Sequence, residues 1–498
     1  MNSPAISKVF QQLFAHQTCS RRICTSSVPR SITAHHRKYH KKTSEETYVD
    51  EDGSVESNWQ QRTAFFPPDK AKDYERYPMI DANALRNRKE RPRRVKMLMR
   101  DFIEDCLYNP NYGYFPQQAV IFDPGEPFDF NSLPDTAAFD KVLGERYTEF
   151  EDALDEHSPS DTRQLWHTPT ELFRPHYGEA IAQYLVTNYK TMHHPFHDLV
   201  IYELGAGNGT LMMNILDFIR DCYPDIYHRT KFKIIEISPA LVTLQTAQLG
   251  ANAESRGHKD RVEIINRSIF SWDTYIASPC FFLSLEVFDN FAHDSIRYDP
   301  FTEQPLQGSV LIDKNGDFYE FYSKDIDPVA SRYLRVRHEA ASHPFNHPVR
   351  GARWKRIIKA RLPFAANLTV PEYIPTRLMQ FFDILQRYFP LHHLVASDFN
   401  ALPDAVQGIN APVVQTRYQR RTVPVTTPLV QQGYFDILFP TDFPVMEDIY
   451  QAITGRLTRV SSQEDFLRRW SDVEATQCKN GASPMLTWYK NASVMTTV

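Results

Sequence analysis

The feature that most constrains this chain is Tyr202-Glu203-Leu204-Gly205-Ala206-Gly207-Asn208-Gly209-Thr210, in which an apolar run ends on an acid and passes through three alternating glycines. Residues 199–204 read as a short buried strand. Residues 210–222, with Leu211, Met212, Ile215, Leu216 and Ile219 at helical spacing, read as a helix. A glycine turn between them lets the backbone approach a ligand where a Cβ would collide. The rhythm then recurs: 232–237, 262–265 and 280–285 predict three more strands, and a helix follows over 239–254 with Ser238 as its cap and Pro239 in its first turn. A helix over 376–388 and a strand over 394–398 resume the alternation. Strands alternating with helices require a parallel sheet covered on both faces, an α/β fold.

Two ligands suit such a turn. A dinucleotide wants Gly-x-Gly-x-x-Gly, with its pyrophosphate on the helix N-terminus. Here the spacing is Gly-x-Gly-x-Gly and Glu203 precedes it, where a carboxylate would repel a pyrophosphate. That acid suits the cationic, methionine-derived part of S-adenosylmethionine. Glu236, ending the second strand, stands where a bound nucleoside needs a carboxylate for its ribose hydroxyls. Strand four ends in Leu285-Glu286-Val287-Phe288-Asp289-Asn290. Glu286 and Asp289 point into one pocket if a helical turn follows. Methyl transfer from a sulfonium needs alignment more than acid–base power, but a guanidinium acceptor is held by carboxylates, one of which helps take the proton. The pair therefore favours a basic nitrogen acceptor. The competing reading pairs them with a local arginine such as Arg297.

Charge is unevenly placed. Residues 1–44 contain no Asp or Glu and carry +8, with Ser and Thr frequent, as in a mitochondrial transit peptide; import into the matrix is the expectation. The remainder is acidic, and strand four has no Asn-Pro-Pro-Tyr or Cys nucleophile motif, which argues against a nucleic-acid substrate. Residues 331–361 hold nine bases against one acid, either a docking surface or a solvated face. No run of about 18 apolar residues predicts a membrane span, and six cysteines without Cys-x-x-Cys predict no structural zinc site. The expected organisation is a polar linker over 45–94 and an N-terminal helical cap over 95–195. The cap would hold helices over 95–108 and 177–189 and an acidic, loop-like stretch over 122–161. A methyltransferase domain over 196–498 would follow, with an insertion at about 290–365 that includes a hairpin turning at Asn315-Gly316, and an extended end over 485–494.

At these residues the chain resembles the MidA-type family, mitochondrial methyltransferases known as assembly factors of respiratory complex I. Over roughly 97–498 the order and spacing of family-like segments are kept. They include Met99-Arg100-Asp101-Phe102, Asn109-Pro110-Asn111-Tyr112-Gly113-Tyr114, Thr168-Pro169-Thr170-Glu171, the glycine turn, Ser397-Asp398-Phe399 and Gly433-Tyr434-Phe435-Asp436-Ile437. The resemblance implies a Rossmann-like class I S-adenosylmethionine-dependent methyltransferase fold. For the mitochondrial members it implies symmetric dimethylation of an arginine on a complex I core subunit. Carried over by position, Glu203, Gly205, Gly207, Gly209 and Glu236 would bind S-adenosylmethionine, Glu286 and Asp289 would line the active site, and Glu171 would belong to the segment that closes over it. Leu285 and Phe291-Ala292 replace the family's Asn and Leu-Pro, and Phe399-Asn400 replaces a Tyr-Gly pair. These departures fall in the methyl-acceptor half. A non-catalytic assembly chaperone retaining the fold is therefore the second reading.

Overall fold

The computed structural model describes residues 59–61, 69–117, 119–237, 254–349, 367–403 and 406–498. The basic segment 1–44, the helix expected over 239–254 and most of the basic 331–361 cluster lie outside them. A seven-stranded sheet organises the rest: β1 (Leu199–Leu204), β2 (Thr230–Glu236), β3 (Val262–Asn266), β4 (Cys280–Leu285), β5 (His392–Phe399), β6 (Thr458–Ser462) and β7 (Ala492–Thr497). Their order is β6-β7-β5-β4-β1-β2-β3. Strands β3, β2, β1, β4 and β5 are parallel, while β7 runs antiparallel between β5 and β6. The central strands are continuous apolar runs because both faces are buried. Helices His176–Met192 and Thr210–Cys222 pack on one face, and Thr376–Tyr388 with Phe443–Thr454 on the other. The order reverses at β1, whose neighbours are β2 and β4. A crevice opens at the carboxyl ends of such strands.

Outside this sheet several expected elements differ. Residues 95–98 form a strand, Val95–Leu98, and the helix begins at Met99. Val95 and Met97 are buried in alternation, and the strand pairs antiparallel with Pro305–Ile312. The described part of 45–94 is folded as well. Trp59–Gln61 adds to the edge of this second sheet, Tyr74 stacks on Phe321 with ring centroids 4.1 Å apart, and Leu85 is fully buried. The N-terminal region and the 290–365 insertion thus contribute to one antiparallel sheet, with Glu372–Ile374 at its other edge. The Asn315-Gly316 hairpin joins two of its strands, Pro305–Ile312 and Phe318–Ser323. Near the C-terminus, residues 485–494 are not continuously extended: helix Pro484–Thr487 precedes β7.

The acidic stretch 122–161 is mostly the helix Thr136–His157, capped by the Asp135 carboxylate, which accepts the Ala138 N–H at 2.9 Å. Phe139, Leu143, Tyr147 and Glu151 form its buried stripe, four residues apart. Glu151 is apolar in position only: it receives both amino groups of Arg417 at 3.1 Å, joining the helix to the strand Val413–Tyr418. Breaking such a buried pair strands a guanidinium away from water, at a cost of about 3–5 kcal/mol. The exposed Lys141–Glu145 pair of the same helix, at 3.8 Å, is worth about 1 kcal/mol or less. Glu151→Ala should therefore lower the urea unfolding midpoint far more than Glu145→Ala. Equal effects would mean that the helix is not docked through Arg417.

Candidate active site

The carboxyl ends of β1, β2, β4 and β5 open into a cavity of about 720 Å³. Glu203, Gly205, Gly207, Glu236, Glu286 and Asp289 all line it; Gly209 does not, and instead takes the N-cap position of helix Thr210–Cys222. The three glycines have φ of +71°, +52° and +76°, the left-handed region that favours glycine. A Cβ on Gly205 would make only an ordinary contact, 3.6 Å from Val287 Cγ2. One on Gly207 would lie 2.6 Å from Ile121 Cδ1. A side chain at Gly207 would therefore have to push aside the terminal methyl of Ile121, from the strand Ala119–Ile121, and would hold a strained positive φ.

Glu171 ties that N-terminal region to the turn. It stands in the first turn of Pro169–Leu172, capped by Thr168, and its Oε1 accepts the Asn208 amide at 3.0 Å and the Thr210 hydroxyl at 2.8 Å. Its Oε2 accepts Arg174 at 3.0 Å. Burial still pushes its pKa up.

On the sheet side, Glu203 is buried and its Oε2 has no hydrogen-bond partner among the described residues. Burial, with the nearby Glu236 charge second, pushes its carboxyl up to about 8. An orphaned buried carboxylate beside a glycine turn, with a second acid at the end of β2, fits a cationic nucleoside such as S-adenosylmethionine.

After β4 the chain turns sharply. Glu286 has φ +55°, and its N–H donates to Ser397 O at 2.8 Å; residues Phe288–Asn290 then form a short 3₁₀ turn. Such a left-handed non-glycine residue persists only where its surroundings enforce it. Here Asp398, at the end of β5, enforces it: its Oδ2 accepts the N–H groups of Phe288 at 2.8 Å and Asp289 at 3.3 Å. The predicted helical turn exists, and it brings Glu286 and Asp289 to one cavity. Arg297 is elsewhere: it donates to Thr369 O at 2.7 Å and lies over the Tyr322 ring.

Asp398 and Asp436, absent from the sequence-based set of site residues, complete a buried cluster with Glu286 and Asp289. Burial pushes Asp398 and Asp436 each up to about 7. It pushes Glu286 and Asp289 well above the carboxylate range, with the charge of Asp398 adding to both. Asp289 Oδ1 has no partner among the described residues. Both missed residues sit in family-like segments. Asp398 carried the same signal as Glu203 and Glu236, an acid at the carboxyl end of a strand, whereas Asp436 opens a three-residue strand and carried no such signal.

Of the basic cluster, Arg332 is held by both oxygens of Asp383, and Arg337 is buried against Glu372. These two arginines hold the fold together and do not form a free docking face.

Residues 180–461 match the family described as "Putative S-adenosyl-L-methionine-dependent methyltransferase". Two curated relatives are similar. The protein arginine methyltransferase NDUFAF7 homolog, mitochondrial, of Schizosaccharomyces pombe is 24% identical over 76% of this chain and 80% of its own. Its Saccharomyces cerevisiae counterpart is 21% identical over 64% and 77%. A COG1565 superfamily member from Burkholderia thailandensis, solved with S-adenosyl-homocysteine, shares the fold with a TM-score of 0.50 and 15% identity, covering 81% of this chain and 87% of that one. The Rossmann-like sheet order, the glycine turn and the matched span together make this chain a member of the S-adenosyl-L-methionine-dependent methyltransferase family.

Proposed function

We propose that the protein transfers methyl groups to the guanidinium of an arginine in a protein of the mitochondrial matrix, with symmetric dimethylation during respiratory complex assembly as its role. The observation that carries this reading is the cluster of four buried carboxyl groups, of which Glu286, Asp289 and Asp436 line the cavity and Asp398 is buried against the turn that carries the first two. Among the described residues, none of Glu203, Glu286, Asp289, Asp398 and Asp436 pairs with a cationic side chain. Such a cluster repels anions and is stabilised by a cation. The matched relatives, named as mitochondrial protein arginine methyltransferases, support the same acceptor and compartment, and the acid-free N-terminus supports the compartment. Among the described residues no helix is long and apolar enough to cross a membrane.

Glu203, Gly205, Gly207 and Glu236 would hold S-adenosylmethionine, which supplies an electrophilic methyl group on a sulfonium. Glu203 would meet its cationic part, and Glu236 its ribose. Gly209 would act through the backbone, by starting the helix. Glu286 and Asp289 would orient the acceptor nitrogen and take up the proton it loses when it becomes alkylated. Asp398 is a positioning residue, since it holds the turn that presents both. The chaperone reading predicts the same cofactor grip with no need for ionised carboxylates at the acceptor end.

Two outcomes follow. Gly207→Val, by clashing with Ile121 and straining a positive φ, should abolish S-adenosylmethionine binding in calorimetry, and Glu203→Gln should weaken it about tenfold or more. Wild-type affinity in both would remove this turn from the cofactor site. Glu286→Gln and Asp289→Asn should each reduce radiolabelled methyl transfer into arginine of matrix proteins by about a hundredfold or more while leaving cofactor affinity in place. Full rescue of a null strain by the double variant would instead establish the chaperone.

A further inference from the structure

We infer that Asp436 is a second acceptor-binding carboxylate, forming with Asp289 a two-pronged receptor for a guanidinium; the inference rests on the arginine reading above. Asp436 lies on the short strand Asp436–Leu438, outside the seven-stranded sheet. Three hydrogen bonds set it beside the turn after β4. Asn290 Nδ2 donates to Asp436 Oδ1 at 3.1 Å and to Ile437 O at 3.2 Å, and the Phe439 N–H donates to the Asp289 carbonyl at 2.7 Å. Asp289 and Asp436 therefore line the same cavity from two segments of the chain.

Their hydrogen bonding is unequal. Asp436 Oδ1 accepts from Asn290 and from the Ile437 N–H at 2.9 Å. Asp289 is 2% exposed, and its Oδ1 has no partner among the described residues. That orphaned oxygen is the mark of an absent donor, because a buried acceptor left unmatched is costly. A guanidinium presents N–H groups on more than one edge of a plane, so one carboxylate serves one edge and a second is needed for another. An ammonium, with donors around a point, has no such requirement. Tyr108 and Phe115, whose rings stack at 5.3 Å, line the same cavity and offer aromatic surface to a planar cation. The Tyr108 hydroxyl donates to Asn290 O at 3.1 Å, which fixes that ring next to the residue holding Asp436.

The test is calorimetric titration of the full chain, saturated with S-adenosylhomocysteine, with ethylguanidinium, ethylammonium and the uncharged ethylurea. Wild type should prefer ethylguanidinium. Asp436→Asn, which keeps size and the Asn290 contact, should lose about tenfold in ethylguanidinium affinity with adenosylhomocysteine affinity unchanged, and Asn290→Ala should lose a smaller factor. Wild-type ethylguanidinium affinity in Asp436→Asn, with loss in Asp289→Asn, would overturn the role of Asp436 and leave the arginine reading standing. No preference of the wild type for ethylguanidinium over ethylurea would overturn the arginine reading itself. If Asp436→Asn does not fold, unchanged ethylguanidinium affinity in Asn290→Ala overturns the inference.

Discussion

Keeping carboxyl groups out of water with no cation beside them is the constraint on which this site depends. Glu203 shows the scale: moving it from its ordinary 4.5 to about 8 corresponds to roughly 5 kcal/mol between its two protonation states. A whole domain is stable by only about 5–15 kcal/mol. Groups that costly are not kept for packing, because apolar residues of the same size would pack at no such expense. They make the cavity a place that favours a cation. Both reactants of the proposed reaction, a sulfonium and a guanidinium, are cations.

The rest of the architecture holds those acids in register. Asp398 gathers two backbone N–H groups and so fixes the left-handed Glu286. The N-terminal segment and the strands Val413–Tyr418 and Asp436–Leu438 line the cavity opposite the seven-stranded sheet, and Glu171 locks that segment to Asn208 and Thr210. The glycine turn and the turn carrying Glu286 and Asp289 are both tied to this N-terminal region, the second through the Tyr108 hydroxyl on Asn290 O. The glycine turn is held in place by a residue contributed from before the methyltransferase sheet begins.

What could be read from sequence follows from how local each signal is. The strands around 199–204 and 280–285 and the helices 210–222 and 376–388 were legible because buried parallel strands and amphipathic helices carry their pattern within a few residues. Val95–Leu98 was not. Four alternating residues running straight into a true helix are inseparable from its first turn, and only pairing with Pro305–Ile312 decides them. Thr136–His157 was hidden by its acids, one of which, Glu151, occupies a core position because Arg417 meets it 266 residues later. The same distance in sequence concealed the roles of Asp398 and Asp436, whose partners lie 110 and 146 residues away. Glu286 and Asp289 could be found because three residues and one turn suffice to bring them together.

The most direct measurement is the ionisation of Glu203 by carbon-13 NMR of the carboxyl-labelled protein, free and bound. The account predicts titration near 8 in the free protein and a return to the ordinary carboxylate range with S-adenosylmethionine. Because the free folded chain then holds a proton that the unfolded chain releases at about 4.5, its stability should fall as pH rises from there toward 8, and saturating cofactor should flatten that slope. A free-protein Glu203 that titrates near 4.5, with no shift on binding, would contradict the claim that uncompensated buried carboxylates define this site.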